Sequence, residues 1–232
     1  TLLSECVIIS TPSDDRTLSA NQIRTNYGVF KTDVSTLLDC KGEKGTLLVS
    51  KDKRVISGST HDADEDEYII SEVIGNSIKY VFAGQVNTLS LPDDFPVYVS
   101  GGAKRNLSDV TSDFVSGACL SVYTSVGQKF GVLNVNSGYS VINDCFIIAS
   151  KNEDKTLSAD SVRTSSGTYK VRDSSILSMT GTIGSLVLDS DNRIYEFASS
   201  NMYSESAGVS SISGNEIQYI TSSGAKKSIK VD

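Results

Sequence analysis

The sequence predicts an all-β protein, and three features carry the prediction. Val, Ile, Thr, Ser, Gly and Asp are abundant while Trp is absent, a composition that favours strands. No apolar stripe of 3.6-residue period runs far enough for a long helix. Short apolar runs are instead separated by Gly, Asn and Asp turns. A hydrophobic fraction of 38% with 21% charged residues suits a folded core and is too apolar for a disordered chain.

In chain order, Cys6-Val7-Ile8-Ile9 reads as a buried strand. The polar connection DDRTLSANQIRT (14–25) leads into IRTNYGVFK, where Asn26-Tyr27-Gly28 reads as a hairpin loop with Gly28 supplying a positive φ. LLVSKDKRVI (47–56) is a further hairpin, turning at Lys51-Asp52-Lys53. A different pattern follows: a hairpin at Gly75-Asn76, a strand VYVSGG (97–102) and a capped turn NLSDV (106–110). It closes with the hairpin ACLSVYTSVGQKFGVLNV (118–135), whose apolar load falls on Leu120, Val122, Tyr123, Val132 and Leu133.

The first pattern then returns. At an offset of 139, residues 6–59 match 145–198 at about a third of positions without gaps. Cys6 falls on Cys145, TLSA (17–20) on TLSA (156–159), Arg24-Thr25 on Arg163-Thr164, and Gly45 on Gly184. LLVSKDKRVI falls on LVLDSDNRIY, turning at Ser190-Asp191-Asn192, and Gly75-Asn76 falls on Gly214-Asn215. The expectation is a tandem array of small β-barrel or β-sandwich modules of two types, each with about five or six strands. Their boundaries are A1 at 1–66, B1 at 67–144, A2 at 145–205 and the opening of B2 at 206–232. Because the chain starts inside a strand pattern and B2 stops early, it is read as a piece of a longer protein.

The order of these signals carries a resemblance. PVYVSGGAKRNLSDV is followed by Gly117 and by a hairpin turning at Ser125-Val126-Gly127-Gln128 before FGVLNV; module A closes likewise with Gly45 or Gly184, a strand, an Asp-containing turn and an outgoing strand. This resembles the β-rich repeats of S-layer and other large cell-surface proteins of Gram-positive bacteria. The resemblance implies an extracellular location at the cell surface or cell wall, secretion, and a structural, self-assembling role beside wall-anchoring domains.

Charge narrows the partners. A formal charge of −7, without a sizeable Lys/Arg cluster, speaks against nucleic acid. No apolar run approaches the ~20 residues of a membrane helix, so insertion is not expected. Cys6, Cys40, Cys119 and Cys145 are too widely spaced for a zinc ribbon or a CxxC motif. Cys40 is matched by Met179 in the repeat, which favours free buried thiols acting as small hydrophobes over disulfides.

The candidate sites all have architectural readings beside the chemical ones. In DDRTLSANQIRT, Asp15, Ser19 and Arg24 suggest a small binding site, yet the copy EDKTLSADSVRT changes Gln22 to Ser161 and Asn26-Tyr27 to Ser165-Ser166. The preserved residues are those a loop needs: Leu18 and Ile23 entering the core, Thr17 and Ser19 tying the backbone, and Asp15 offsetting Arg24 on the surface. Asp62, Asp64 and Asp66 imitate the start of a calcium loop, but Glu67 stands where the loop needs Gly and Val73 where it needs the closing Glu. An acidic linker is therefore expected there, and calcium at these three residues is the single cofactor candidate. His61 is the only histidine and sits in that linker, so no triad base is placed; Asp93-Asp94 reads as a turn and Gly101-Gly102 as a hairpin. Tyr27 and Tyr203 are candidates for stacking on sugar, and neither is repeated.

The expected function is structural and non-enzymatic: a spacer, or the assembling body of a surface layer or filament. Its partners are neighbouring modules of the same chain or further copies, with carbohydrate as another candidate. The alternatives are an adhesin or carbohydrate-binding array, or a phage tail or fibre component.

Overall fold

The computed structural model describes residues 1–63, 66–100, 102–200, 207–221 and 226–230. It is all-β, and the helical pieces among the described residues are 3-10 turns of at most five residues. The chain divides into two compact units, Thr1–Ser199 and Ser200–Asp232.

The apolar run at Cys6 lies in β1 (Leu2–Ser10), which is followed by β2 (Gln22–Thr25), β3 (Gly28–Thr32), β4 (Lys44–Val49) and β5 (Arg54–His61). These close a barrel in the order β1-β2-β3-β5-β4, with β3 and β5 parallel. Closure depends on β1 pairing with β4 at one end and β2 at the other. The pairing with β4 is interrupted at Glu5, whose φ of 51° marks a bulge between Leu3 and Cys6. Cys6, Ile8, Ile23, Leu37, Leu47 and Val55 fill the interior. Gly45 sits where β5 crosses: a Cβ there would lie 2.1 Å from the Ser59 carbonyl oxygen.

The middle of the unit is a single sheet of seven strands rather than a second barrel or a sandwich. β6 (Asp66–Ile74), β7 (Ser77–Phe82), β8 (Gln85–Ser90), β9 (Pro96–Val99), β10 (Lys104–Asn106), β11 (Cys119–Ser125) and β12 (Gln128–Asn134) pair in the order β10-β9-β12-β11-β6-β7-β8. The expected turns at Gly75-Asn76 and Val126-Gly127 join β6 to β7 and β11 to β12. The segment between β10 and β11, with 3-10 turns at Leu107–Asp109 and Thr111–Asp113, brings Leu107, Val110 and Phe114 to a core shared with Ile70, Leu120 and Leu133. The turn expected to be capped at Asn106 has no side-chain cap.

The third sheet comprises β13 (Ser140–Ser150), β14 (Ser161–Thr164), β15 (Gly167–Lys170), β16 (Ile183–Leu188) and β17 (Ile194–Ser199), ordered β15-β14-β13-β16-β17. Its elements follow those of the barrel at an offset of 139: the bounds of β16 are those of β4 plus 139, and the 3-10 turn Ser174–Ser178 follows Ser35–Asp39 in the same way. A parallel bridge, Val171 to Ile194, stands where the barrel pairs Thr32 with Val55. Asp144, with φ of 54°, makes the bend that Glu5 makes in β1, and Gly184 meets Ala198 as Gly45 meets Ser59. The boundary expected at 144/145 thus falls within a strand, because Cys145 marks the residue after the bend and not the start of the element.

The second unit contributes a three-stranded sheet, β18 (Ala207–Ser213), β19 (Glu216–Thr221) and β20 (Lys226–Lys230), ordered β18-β19-β20.

Candidate functional site

The repeated loop forms the same knot twice. Asp15 Oδ1 accepts from the Thr17 backbone N–H at 2.9 Å and from its hydroxyl at 2.6 Å; Oδ2 accepts from Arg24 Nη2 at 2.8 Å and Nε at 3.1 Å. At the copy, Asp154 accepts from Thr156 N at 2.9 Å, from Thr156 Oγ1 at 2.6 Å, and pairs with Arg163 Nη2 at 2.6 Å. One residue earlier, Asp14 takes the Thr11 N–H and Glu153 takes the Ser150 N–H, each at 2.8 Å. Leu18, Ile23, Leu157 and Val162 are all buried, and Ile23 and Val162 join the cores of their sheets. Asp15, however, is not the surface residue expected: its side chain is 4% exposed, because Thr17 and Arg24 fold over it. Burial opposes its ionisation, but the Thr17 bonds and the Arg24 guanidinium outweigh that and hold the carboxyl below its usual range. At Asp154 the Thr156 bonds lead the same downward shift. A carboxylate whose acceptor positions are taken by its own chain is a tie within the loop, with little left for a ligand.

The calcium candidate falls only partly within the described residues. Asp62 is exposed after β5, Asp66 opens β6 opposite Val122, and Asp64 lies outside the described residues. No group of three or more metal-ligating side chains forms among the described residues. His61 is exposed at the end of β5, opposite Lys44. All four cysteines are reduced, and burial pushes the Cys6 thiol up to about 11, far from the thiolate a nucleophile needs. Asp93, after β8, takes a bond from the side-chain amide of Asn76 in the β6–β7 turn. Of the other sequence candidates, Gly101 and Tyr203 lie outside the described residues, and Gly102 returns its N–H to Val99 O at 2.8 Å.

The more extensive construction lies between the sheets of the first unit. Val7 and Ile9 point away from the barrel interior, yet they are 0% and 1% exposed. They are covered by Tyr98, Tyr123 and Phe130 of the central sheet, with Phe130 stacked on Tyr123 at 5.5 Å and edge-on to Tyr98 at 5.7 Å. Polar bonds frame this contact. Asn26 Oδ1 accepts from Val7 N at 2.9 Å while its Nδ2 donates to Ser125 Oγ at 2.9 Å. Ser125 Oγ donates in turn to the Glu5 carbonyl at 2.8 Å, and Lys44 Nζ donates to Thr124 O at 3.1 Å. The bend in β1 is therefore capped by the β11–β12 turn. Beside it opens a cleft of about 330 Å³ lined by Tyr27, Tyr98, Lys104, Gln128 and Lys129 among others.

A second junction joins the central sheet to the third. Ile69 and Val81 pack on Val187 and Ala198, and the Gly84 N–H donates to Glu196 at 2.6 Å. Asn143 links the two, donating to Ser71 O at 3.3 Å and accepting from Ser185 Oγ at 2.8 Å. Gly117 is required here by two constraints: its φ is 86°, and a Cβ would lie 2.5 Å from the Tyr139 carbonyl oxygen.

Sequence reading missed both junctions. The available signal was the unbroken apolar run in β1: a strand buried on one face alternates, and one buried on both does not. Asn26, read only as a turn residue, is the polar hinge of the first junction.

Compared with protein-family models, curated proteins and solved structures, the chain finds no match.

Proposed function

We propose that this chain is a structural segment of an extracellular tandem β-protein, serving as a spacer or as part of the assembling body of a surface layer or filament. The observation that carries the reading is the pair of apolar junctions, which join three successive sheets into one unit. Residues shared by the two copies of the loop serve folding, as the Asp15 and Asp154 knots do, and the polar groups at the junctions bond to neighbouring sheets. This is the economy of a load-transmitting array, in which each sheet contacts the next. The resemblance of the sequence pattern to Gram-positive cell-surface repeats agrees with that role and motivates the proposed location.

A carbohydrate-binding role is the second reading, favoured by the cleft at the first junction. There Tyr27, 42% exposed, lies beside Lys104, Gln128 and Lys129, an aromatic and polar lining suited to a sugar. Incubation with purified wall polysaccharides separates the readings. The scaffold proposal expects neither saturable binding nor turnover. Saturable binding abolished by Tyr27→Ala would establish the second reading, and cleavage of the polymer would contradict both.

A further inference from the structure

The two A-type sheets differ in which outer face is covered, and the differences are complementary. Strand β1 is buried on both faces from Cys6 to Ser10, whereas its counterpart β13 alternates, leaving Phe146 39% and Ile148 46% exposed. These are the positions of Val7 and Ile9 plus 139. Conversely, β16 is buried on both faces from Gly184 onward, whereas β4 alternates and leaves Leu48, the counterpart of Val187, 39% exposed. Leu2, whose counterpart Val141 packs at the second junction, is also exposed beside it, and Ile56 is 59% exposed where its counterpart Tyr195 is 38% exposed. In each case the covered face is covered by the central B-type sheet.

The framing of the open face on β13 is already in place. Ser165 Oγ accepts from Phe146 N at 3.0 Å, as Asn26 Oδ1 accepts from Val7 N at 2.9 Å. The bend at Asp144 has the same positive φ as that at Glu5, and an acid occupies both positions. Among the described residues, the β13 face carries no counterpart of the aromatic lid supplied to the barrel by Tyr98, Tyr123 and Phe130.

We propose that the outer face of β13 and β14, centred on Phe146 and Ile148, is a docking socket for a B-type β-sheet: an aromatic sheet face whose hairpin turn caps Asp144. The exposed face of β4 and β5 around Leu48 and Ile56 is the other half of the repeating pair of junctions and takes the β6–β7–β8 side of a B-type sheet. The occupant is fixed by the established contact, since the same face at the same offset already carries this partner in the first barrel. Docking of this kind follows whether the array bears load or binds sugar, so the polysaccharide experiment and this one fail independently.

The test extends the full chain. Asp232 stands 139 positions after Asp93, so a second copy of residues 94–137 is appended after Asp232 to supply the aromatic strands. Ile148→Cys is introduced as a reporter, and maleimide labelling is read by site-resolved mass spectrometry. The extension is expected to slow labelling at position 148 by at least about tenfold relative to the unextended chain. Phe146→Asp in the extended chain is expected to restore fast labelling while β1 and β16 keep their hydrogen-exchange protection. Unchanged labelling would overturn the proposal, whether or not the appended strands gain exchange protection. So would a concentration-dependent dimer of the unextended chain that Phe146→Asp abolishes, because the occupant would then be a second copy meeting this face.

Discussion

Asp15 carries more of the fold than its place in a polar loop suggests. Asp15→Asn keeps the shape but removes the charge that Arg24, 14% exposed, is folded against. A loss of about 1–3 kcal/mol is expected in urea unfolding, the range for a buried partner of a charged group. Asp154→Asn should cost less, because Arg163 is 47% exposed and already solvated. The pH dependence has a definite sign. Both carboxyls are held below their unfolded values, so their stabilisation is complete above the unfolded carboxylate pKa near ~3.9 and is lost as pH falls through the folded value. The double variant should therefore flatten the acid limb of the stability curve and leave its neutral-to-alkaline course unchanged. Thiol reactivity offers a separate check: Cys40, half-buried, should label before Cys6 and Cys145, both 0% exposed.

The strands turn identical sequence positions into unequal ones. Ile9→Ala removes a fully buried side chain from the first junction and should cost about 2–5 kcal/mol. Ile148→Ala, at the matching position of β13, is 46% exposed and should stay within about 0.5 kcal/mol. Chemical unfolding of the two variants in parallel checks the contrast; equal costs would mean that β1 is not covered as described. Gly45→Ala and Gly184→Ala should both be destabilising, by about 1–3 kcal/mol or more, since each Cβ meets a carbonyl oxygen at 2.1 Å. Much of this was legible beforehand. The Gly and Asp turns placed β2–β3, β4–β5, β6–β7 and β11–β12, and the offset of 139 placed the counterparts of the first three. β8 and β10 escaped notice because the two apolar residues of QVNTLS, Val86 and Leu89, do not alternate and KRN has none, their pairing being supplied by neighbouring strands. The depth of Asp15 escaped because it depends on how far Arg24 reaches from β2, which is set by barrel curvature and not by spacing along the chain. The aromatic junction escaped for a similar reason: Tyr98 and Phe130 are brought together by the parallel pairing of β9 with β12, which no local pattern announces.

Across residues 1–199 the consequence is cooperativity. Acidic linkers between independent modules were the expectation; in the structure the sheets share apolar contacts at both junctions, with Ala63 of the first connection packed into one of them. Each sheet alone would expose an apolar face, such as Val7 with Ile9 or Val187 with Ala198, so separate folding forfeits that burial. The decisive measurement is native-state hydrogen exchange against urea, following the slowest amides of β1, β11 and β16. One joined body requires these amides to merge into a single opening reaction, with the same free energy and the same urea dependence. Three separate isotherms, each with a smaller urea dependence of its own, would show that barrel, central sheet and third sheet unfold independently, and would contradict the account.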